Sequence, residues 1–427
     1  MKFDRGESLA LKEMPERLFD EVIRMNKAAT GKYEDDRASI NLPFDVAMHE
    51  RVRALAKSYH DVAALIVVGI GGSNLGTLAV QQAVLGNNWN EIGRPKVYFA
   101  DTVDAKAVLE IIAAITPLLE SGKKVLMNGV SKSGSTTETI ANFEIFVDLL
   151  KKHDKDYANY VVVTSDSGSP FHQLALNQGF KTLEIPAKVG GRYSVFSPVG
   201  LFPLAVLGLD TKALVEGAME LRDMCLEENV DDNPAIQSAL LLHHHASEGR
   251  NIANTFVFST ELESFGKWYR QLLAESIGKE WNKDHSKQMW NGITPTVSVG
   301  STDLHSMAQF YLGGPNDTYH MLVGVKKQNA LKVPEDKEYD SLVKGIQGRQ
   351  LPAIMNAIFN GFQAALKAKG RHFTTIILPD MCEHSLGALM QMKMMEVMYL
   401  AALMDVNAFD QPNVEEYKRE TRKILSK

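Results

Sequence analysis

The sequence predicts an α/β protein built from two doubly wound parallel-sheet units with a C-terminal helical tail. Three observations carry this. Short runs of almost wholly apolar, β-rich residues recur along the chain. Helix-length amphipathic segments separate them. Loops rich in glycine or hydroxyl residues follow several of the runs. Strands that are apolar throughout, rather than alternating, are expected where a parallel sheet is covered on both faces.

In the first half the runs are ALIVVGI (64–70), KVYFAD (96–101), KVLMNGV (124–130), YVVVTS (160–165) and KTLEIP (181–186). Segments such as Thr137 to Lys152 carry helical periodicity, and this alternation is the signature of βαβ units. A second series comprises NTFVFST (254–260), TPTVSVGS (294–301), TYHMLVGV (318–325) and HFTTIILP (372–379). Two long helices are expected near Pro352–Lys369 and Ser385–Asp405, the second filled with core methionines between Met390 and Met404. The expected division is an N-terminal helical segment (1–40), a first α/β domain (41–205), a second (206–405) and a C-terminal segment with a helix (406–427). The boundary falls in the helical stretch between Pro198 and Arg250.

Composition narrows the function. The chain has 427 residues, 45% apolar and 23% charged, enough for a sizeable core. Lys plus Arg is 46 and Asp plus Glu is 52, a formal charge of −6 with no basic block, which argues against nucleic acid as partner. Cys225 and Cys382 lie far apart and cannot form a disulfide framework, so a reducing cytoplasm is expected. The charged start, MKFDRGESLALKE, is no secretory signal. The longest apolar stretch, Val199–Leu209, is too short to span a bilayer. His243, His244 and His245 follow one another at about 100° on a helix and are not expected to share a metal.

In open α/β sheets ligands bind beyond the carboxyl ends of the strands, so the loops there matter most. GIGGSNLG (69–76) has Asn74 where a dinucleotide fingerprint needs glycine, and no acidic residue stands at the usual spacing. Its glycines still let a small polar ligand approach the backbone at a helix N-terminus. SKSGSTTETI (131–140) supplies Ser131, Ser133, Ser135, Thr136 and Thr137 ahead of a helix. One hydroxyl suffices for the capping box that Ser135 and Glu138 offer. Five, with free helix N–H groups, make a phosphate cradle that uses dipoles rather than cations. No GxxxxGK[ST] loop is present, so this is no nucleotide P-loop.

The loop SKSGSTTET resembles the sugar-isomerase (SIS) signature. VGGRYSVFSPVG (189–200) and FDQPNVEEYKR (409–419) resemble the two signatures of the glucose-6-phosphate isomerase family, and QLLAESIGKE (271–280) resembles its catalytic-glutamate segment. With GIGGSNLG the motifs stand in the family's order and span nearly the whole chain. The resemblance implies two three-layer SIS domains and isomerisation of glucose 6-phosphate to fructose 6-phosphate through an enediolate, without cofactor or metal. Mannose 6-phosphate as a second substrate is the alternative, and a binding module without turnover a remoter one. The resemblance further implies Glu275 as the base, Arg192 beside the enediolate oxygens, and Ser131, Lys132 (through its backbone), Ser133 and Thr136 around the phosphate. It implies sugar contacts from Gly72 and Ser73, a role for Gln411 and Lys418, and ring opening by His305, in GSTDLHSMAQF, reaching into a partner's site in a homodimer. Asn413 replaces the family's usual glycine and is expected to disturb the local turn, since asparagine takes up left-handed backbone only partly.

The chemistry agrees with these residue types. Removing a proton next to a carbonyl needs a carboxylate base and a cation for the developing oxyanion. A remote phosphate dianion supplies binding energy that positions the reacting carbons.

Overall fold

The computed structural model describes residues 1–5 and 14–426. The charged stretch 6–13, part of the N-terminus read above as no secretory signal, lies outside the described residues. The strands, in chain order, are β1 (Lys2–Asp4), β2 (Ala64–Val68), β3 (Lys96–Ala100), β4 (Val125–Val130), β5 (Val161–Asp166), β6 (Lys181–Ile185), β7 (Ile252–Val257), β8 (Lys279–Trp281), β9 (Gln288–Asn291), β10 (Thr294–Val299), β11 (Thr318–Val325) and β12 (Phe373–Leu378). One five-stranded sheet runs β3-β2-β4-β5-β6, parallel throughout. The other runs β1-β12-β11-β7-β10, parallel except for β1. The nine apolar runs are the nine parallel strands.

Why those runs are continuously apolar is visible in β2. Leu65 and Val67 enter one core cluster, while Ala64, Ile66 and Val68 enter another on the opposite face. In the second sheet Val257 and Val323 face the first of these clusters, and Phe256 and Leu322 face a third. The shared cluster also takes in Leu18, Leu214, Ile236, Leu272 and Leu389, so helices between the sheets join both halves around one core. The inner strands β2, β4 and β11 are thus buried on both sides, the condition that erases alternation, whereas the edge strands β6 and β10 keep exposed residues.

Three elements were not expected. Residues 2–4, within the segment expected to be helical, form β1, whose register pairs Phe3 with Ile376 at the open edge of the second sheet. The hairpin β8–β9 follows the Glu275 segment. Strands of three or four residues are too short to show a period.

Among the described residues one helix, Glu383–Leu403, is long and apolar enough to cross a membrane, and 94% of its apolar window is buried inside the fold. It is the central core helix, with Met390, Met392, Met394 and Met395 fully buried. Lys393 and Glu396 interrupt its apolar run in the sequence but pair inside at 2.6 Å, and the Tyr269 hydroxyl donates to Glu396 at 2.5 Å.

This helix crosses helix Thr211–Met224 at two glycines. A Cβ on Gly387 would stand 1.8 Å from the Leu214 carbonyl oxygen, and one on Gly217 2.0 Å from that of His384. Both obstacles are backbone, so only separation of the helices relieves them. Gly387→Ala should therefore lower stability by about 2–3 kcal/mol or more, an overpacking cost. Gly361→Ala, in helix Leu351–Ala368 with nothing within 4 Å, should raise it by about 0.5–1 kcal/mol through helix propensity. Urea unfolding of the two variants checks both signs.

Candidate active site

In the first sheet the chain leaves β2 for β3 on one side and then crosses to β4 on the other. The reversal opens a crevice between β2 and β4, at the carboxyl ends of the strands. The two loops singled out in the sequence border it. After β2, Gly71 adopts φ +61°, a left-handed conformation that glycine takes without strain. A Cβ on Gly72 would lie 2.3 Å from the Gly191 carbonyl carbon and 2.6 Å from the Arg192 nitrogen. The GGS turn therefore lies backbone to backbone against the GGR turn, and Ser73 stands at the head of helix Leu75–Leu85.

After β4, Ser131 is buried and its hydroxyl lies 3.1 Å from that of Thr136 while accepting from the Gly134 N–H at 3.2 Å. Ser133 is exposed, 3.3 Å from the Ser135 hydroxyl. The helix that follows, Thr137–His153, has no side-chain cap. The capping box that Ser135 and Glu138 offered is not formed, which leaves the first-turn N–H groups available beside the hydroxyls. That is the composition of an anion site built on dipoles. The Lys132 ammonium is not among its ligands: it donates to the carbonyls of Ala187 and Val189, at 2.6 and 2.8 Å.

Glu275 lies in the last turn of helix Glu263–Ile277. One carboxylate oxygen accepts from Arg192 Nη1 at 3.1 Å, and the other from Gln271 Nε2, one helical turn earlier, at 2.9 Å. The Glu275 side chain keeps 20% of its surface exposed, so it can reach a ligand, whereas Arg192 keeps 3%. Every N–H of Arg192 is engaged: Nε with Ser276 Oγ at 2.7 Å, Nη1 with Glu275 and, at 3.2 Å, Gln411 Oε1, and Nη2 with the carbonyls of Ala408 and Asp410 at 2.5 and 3.2 Å. The Tyr193 hydroxyl shares Ser276 from the other side at 2.9 Å. Buried Lys279 bridges the Glu275 carbonyl, at 3.0 Å, and the Asp410 carboxylate, at 2.9 Å. Burial pulls its pKa down against the pull of Asp410.

Of the expected residues, Glu275, Arg192 and Gln411 thus meet in one cluster, and Gly72 packs against the turn that bears Arg192. Ser131 and Thr136 form the second focus. Among the described residues no hydrogen bond or ion pair joins Lys418 or His305 to Glu275. Lys418 sits on helix Val414–Leu425 and pairs with Glu415 at 2.8 Å, one turn away, the default for a charged helix surface. His305 is exposed on helix Thr302–Gly313. Asn413 needs no left-handed backbone: its φ is −69°, and its amide donates to Glu280 at 3.0 Å, so the expected disturbance of the turn does not occur.

Sequence reasoning missed Gln271, Ser276, Lys279 and Asp410. Gln271 was findable, because residues four apart share a helix face. Away from this site, His244, His245 and Glu248 bring ligand atoms within 4.8 Å of one another, closer than the spacing argument allowed. Arg250 donates to both His245 and Glu248, setting a fixed cation where a metal would have to bind.

Comparison with known proteins agrees with this geometry. The family model described as phosphoglucose isomerase matches residues 47–427. Glucose-6-phosphate isomerase of Carboxydothermus hydrogenoformans is 34% identical over 371 residues, covering 85% of this chain and 78% of the relative. That of Thermus thermophilus is 33% identical, covering 96% and 95%. Among solved structures, a hypothetical protein from Thermus thermophilus superposes with a TM-score of 0.88 at 31% identity, covering 100% of both chains. Glucose-6-phosphate isomerase of Chlamydia trachomatis superposes with a TM-score of 0.77 at 20% identity, covering 99% of this chain and 80% of that one, a likeness of fold. The chain belongs to the phosphoglucose isomerase family.

Proposed function

We propose that the protein interconverts glucose 6-phosphate and fructose 6-phosphate by proton transfer through an enediolate. The observation that carries this is the partly exposed Glu275 carboxylate, held between Arg192 and Gln271. The first α/β unit (41–205) supplies a phosphate cradle of Ser131, Ser133, Thr136 and helix N–H groups, and Gly72 and Ser73 line the sugar. The second unit (206–405) delivers the base. Glu275 takes the proton from C2 and returns it to C1, or the reverse. Arg192 faces the two oxygens on which negative charge develops. C2 is oxidised as C1 is reduced within one molecule, so the step needs no external electron carrier. A coupled assay with fructose 6-phosphate in heavy water tests the reading. Turnover with deuterium entering the sugar supports it, and no turnover, or turnover that adds no label and is abolished by a chelator, overturns it.

Ring opening falls to His305 and Lys418. We place His305 in the site of a second copy of the chain, in a homodimer. What supports this is its exposure on a helix whose neighbouring Met307 and Phe310 are 36% and 44% exposed, an apolar surface without cover in the single chain. Glu275→Gln and His305→Ala, each nearly inactive alone, should regain up to about a quarter of wild-type activity when mixed and allowed to exchange subunits. Half of a statistical mixture is heterodimer, and one of its two composite sites is whole. Activity of the mixture equal to the mean of the separate variants removes the shared site.

A further inference from the structure

A lysine inside a hydroxyl-rich phosphate loop reads by default as a cation for the phosphate. Here two of the three Lys132 donors are spent on the carbonyls of Ala187 and Val189, in the loop that leaves β6. Val189 immediately precedes Gly190-Gly191-Arg192, and Ala187 lies two residues before Val189. Val189 is fully buried, and its N–H closes a turn onto the Pro186 carbonyl. At its other end Lys132 is fixed to β5, its carbonyl accepting from the Asp166 N–H at 3.3 Å. The charged groups around its ammonium are Asp166, Asp36 and Lys188, the last two paired with each other at 2.8 Å. Gly191 in turn carries the backbone contact to Gly72. The phosphate loop, the arginine turn and the sugar loop are therefore joined in series, and Lys132 is the side chain that makes the first joint.

We infer that Lys132 is a positioning residue whose ammonium latches the phosphate cradle to the turn carrying Arg192, so that a phosphate in the cradle and the Arg192–Glu275 pair keep one fixed spacing. This rests on the function proposed above. It assigns the lysine side chain to the geometry of the reacting end rather than to phosphate affinity. Misplacing a catalytic cation by about 1 Å costs up to roughly 10²-fold. Lys132→Met should accordingly lower kcat by about tenfold or more, while the Kd for inorganic phosphate, measured by calorimetry, moves less than twofold.

A tenfold weaker phosphate affinity would make Lys132 a phosphate ligand and overturn the inference, and so would an unchanged kcat. Ser131→Ala with Thr136→Ala separates the two readings. If that pair leaves phosphate affinity unchanged, the cradle itself is misplaced, whatever Lys132 does. Should Lys132→Met not fold, hydrogen exchange in the unmodified protein decides. Saturating inorganic phosphate should slow exchange of the Val189, Tyr193 and Ser194 amides, and no slowing there overturns the latch.

Discussion

Glu275→Gln should fold as the wild type does, bind inorganic phosphate with unchanged affinity, and lose roughly 10²–10⁴-fold in kcat, the usual worth of a positioned base. The substitution keeps the shape of the side chain but exchanges one accepting oxygen for an NH2 donor. Both carboxylate oxygens are in use, one by Arg192 at 3.1 Å and one by Gln271 at 2.9 Å. Arg192 has only donors and cannot adapt, so the new amide must turn its oxygen to Arg192 and its nitrogen to Gln271. Gln271 can accept that nitrogen by flipping its own amide, whose Oε1 is buried without a hydrogen-bond partner. The structure thus absorbs the change at little cost, and the thermal midpoint should shift by no more than about 2 °C, as expected for a loss well under 1 kcal/mol in a chain of this size. Loss of turnover with retained phosphate binding isolates proton transfer. Exchange of the C2 hydrogen with solvent should fall in the same ratio as turnover. A variant within about tenfold of wild type, the range of a mere positional disturbance, removes Glu275 from the mechanism.

How much of this site was legible depended on how local its causes are. The inner parallel strands were legible because burial on both faces writes an apolar run directly into the sequence, as Ala64 to Val68 shows. The phosphate loop was legible because five hydroxyls exceed what capping requires, and the structure leaves the helix of Thr137 uncapped. The Glu275–Arg192–Gln411 cluster was not legible from residue physics. Its members lie 83 and 219 residues apart in the chain from Arg192, and only the family resemblance united them. Lys132 fails for the same reason, its partners being 55 and 57 residues away. Lys418 is the instructive case. The resemblance places it at the substrate, charge pattern places it on a helix surface beside Glu415, and the structure shows the second arrangement. Its helix, Val414–Leu425, buries no residue, so little fold energy opposes a change in its position.

Arg192→Ala should be the most damaging single change at the site, in stability and in rate. The guanidinium satisfies Ser276, Glu275, Gln411 and the carbonyls of Ala408 and Asp410 at once, with its side chain 3% exposed. Removing it strips Glu275 of its cation, leaving only the Gln271 amide as its donor, and takes the donor from Gln411 Oε1, a cost approaching the roughly 3–5 kcal/mol of breaking a buried pair. It also removes the cation facing the developing oxyanion, worth a further roughly 10²–10³-fold in kcat. The two losses can be separated by chemical rescue. Arg192→Lys retains a charge but offers three donors on a flexible stem where five in a plane are needed, so it should recover little of either. Free guanidinium at millimolar concentration, far below denaturing levels, should enter the Arg192→Ala cavity and restore part of kcat. Methylammonium, with the same charge and no planar fork, should not. Equal rescue by both cations would mean that charge alone matters and that the five-bond geometry is incidental to catalysis. Rescue by neither, in a variant shown by circular dichroism to be folded, would place the enediolate away from Arg192.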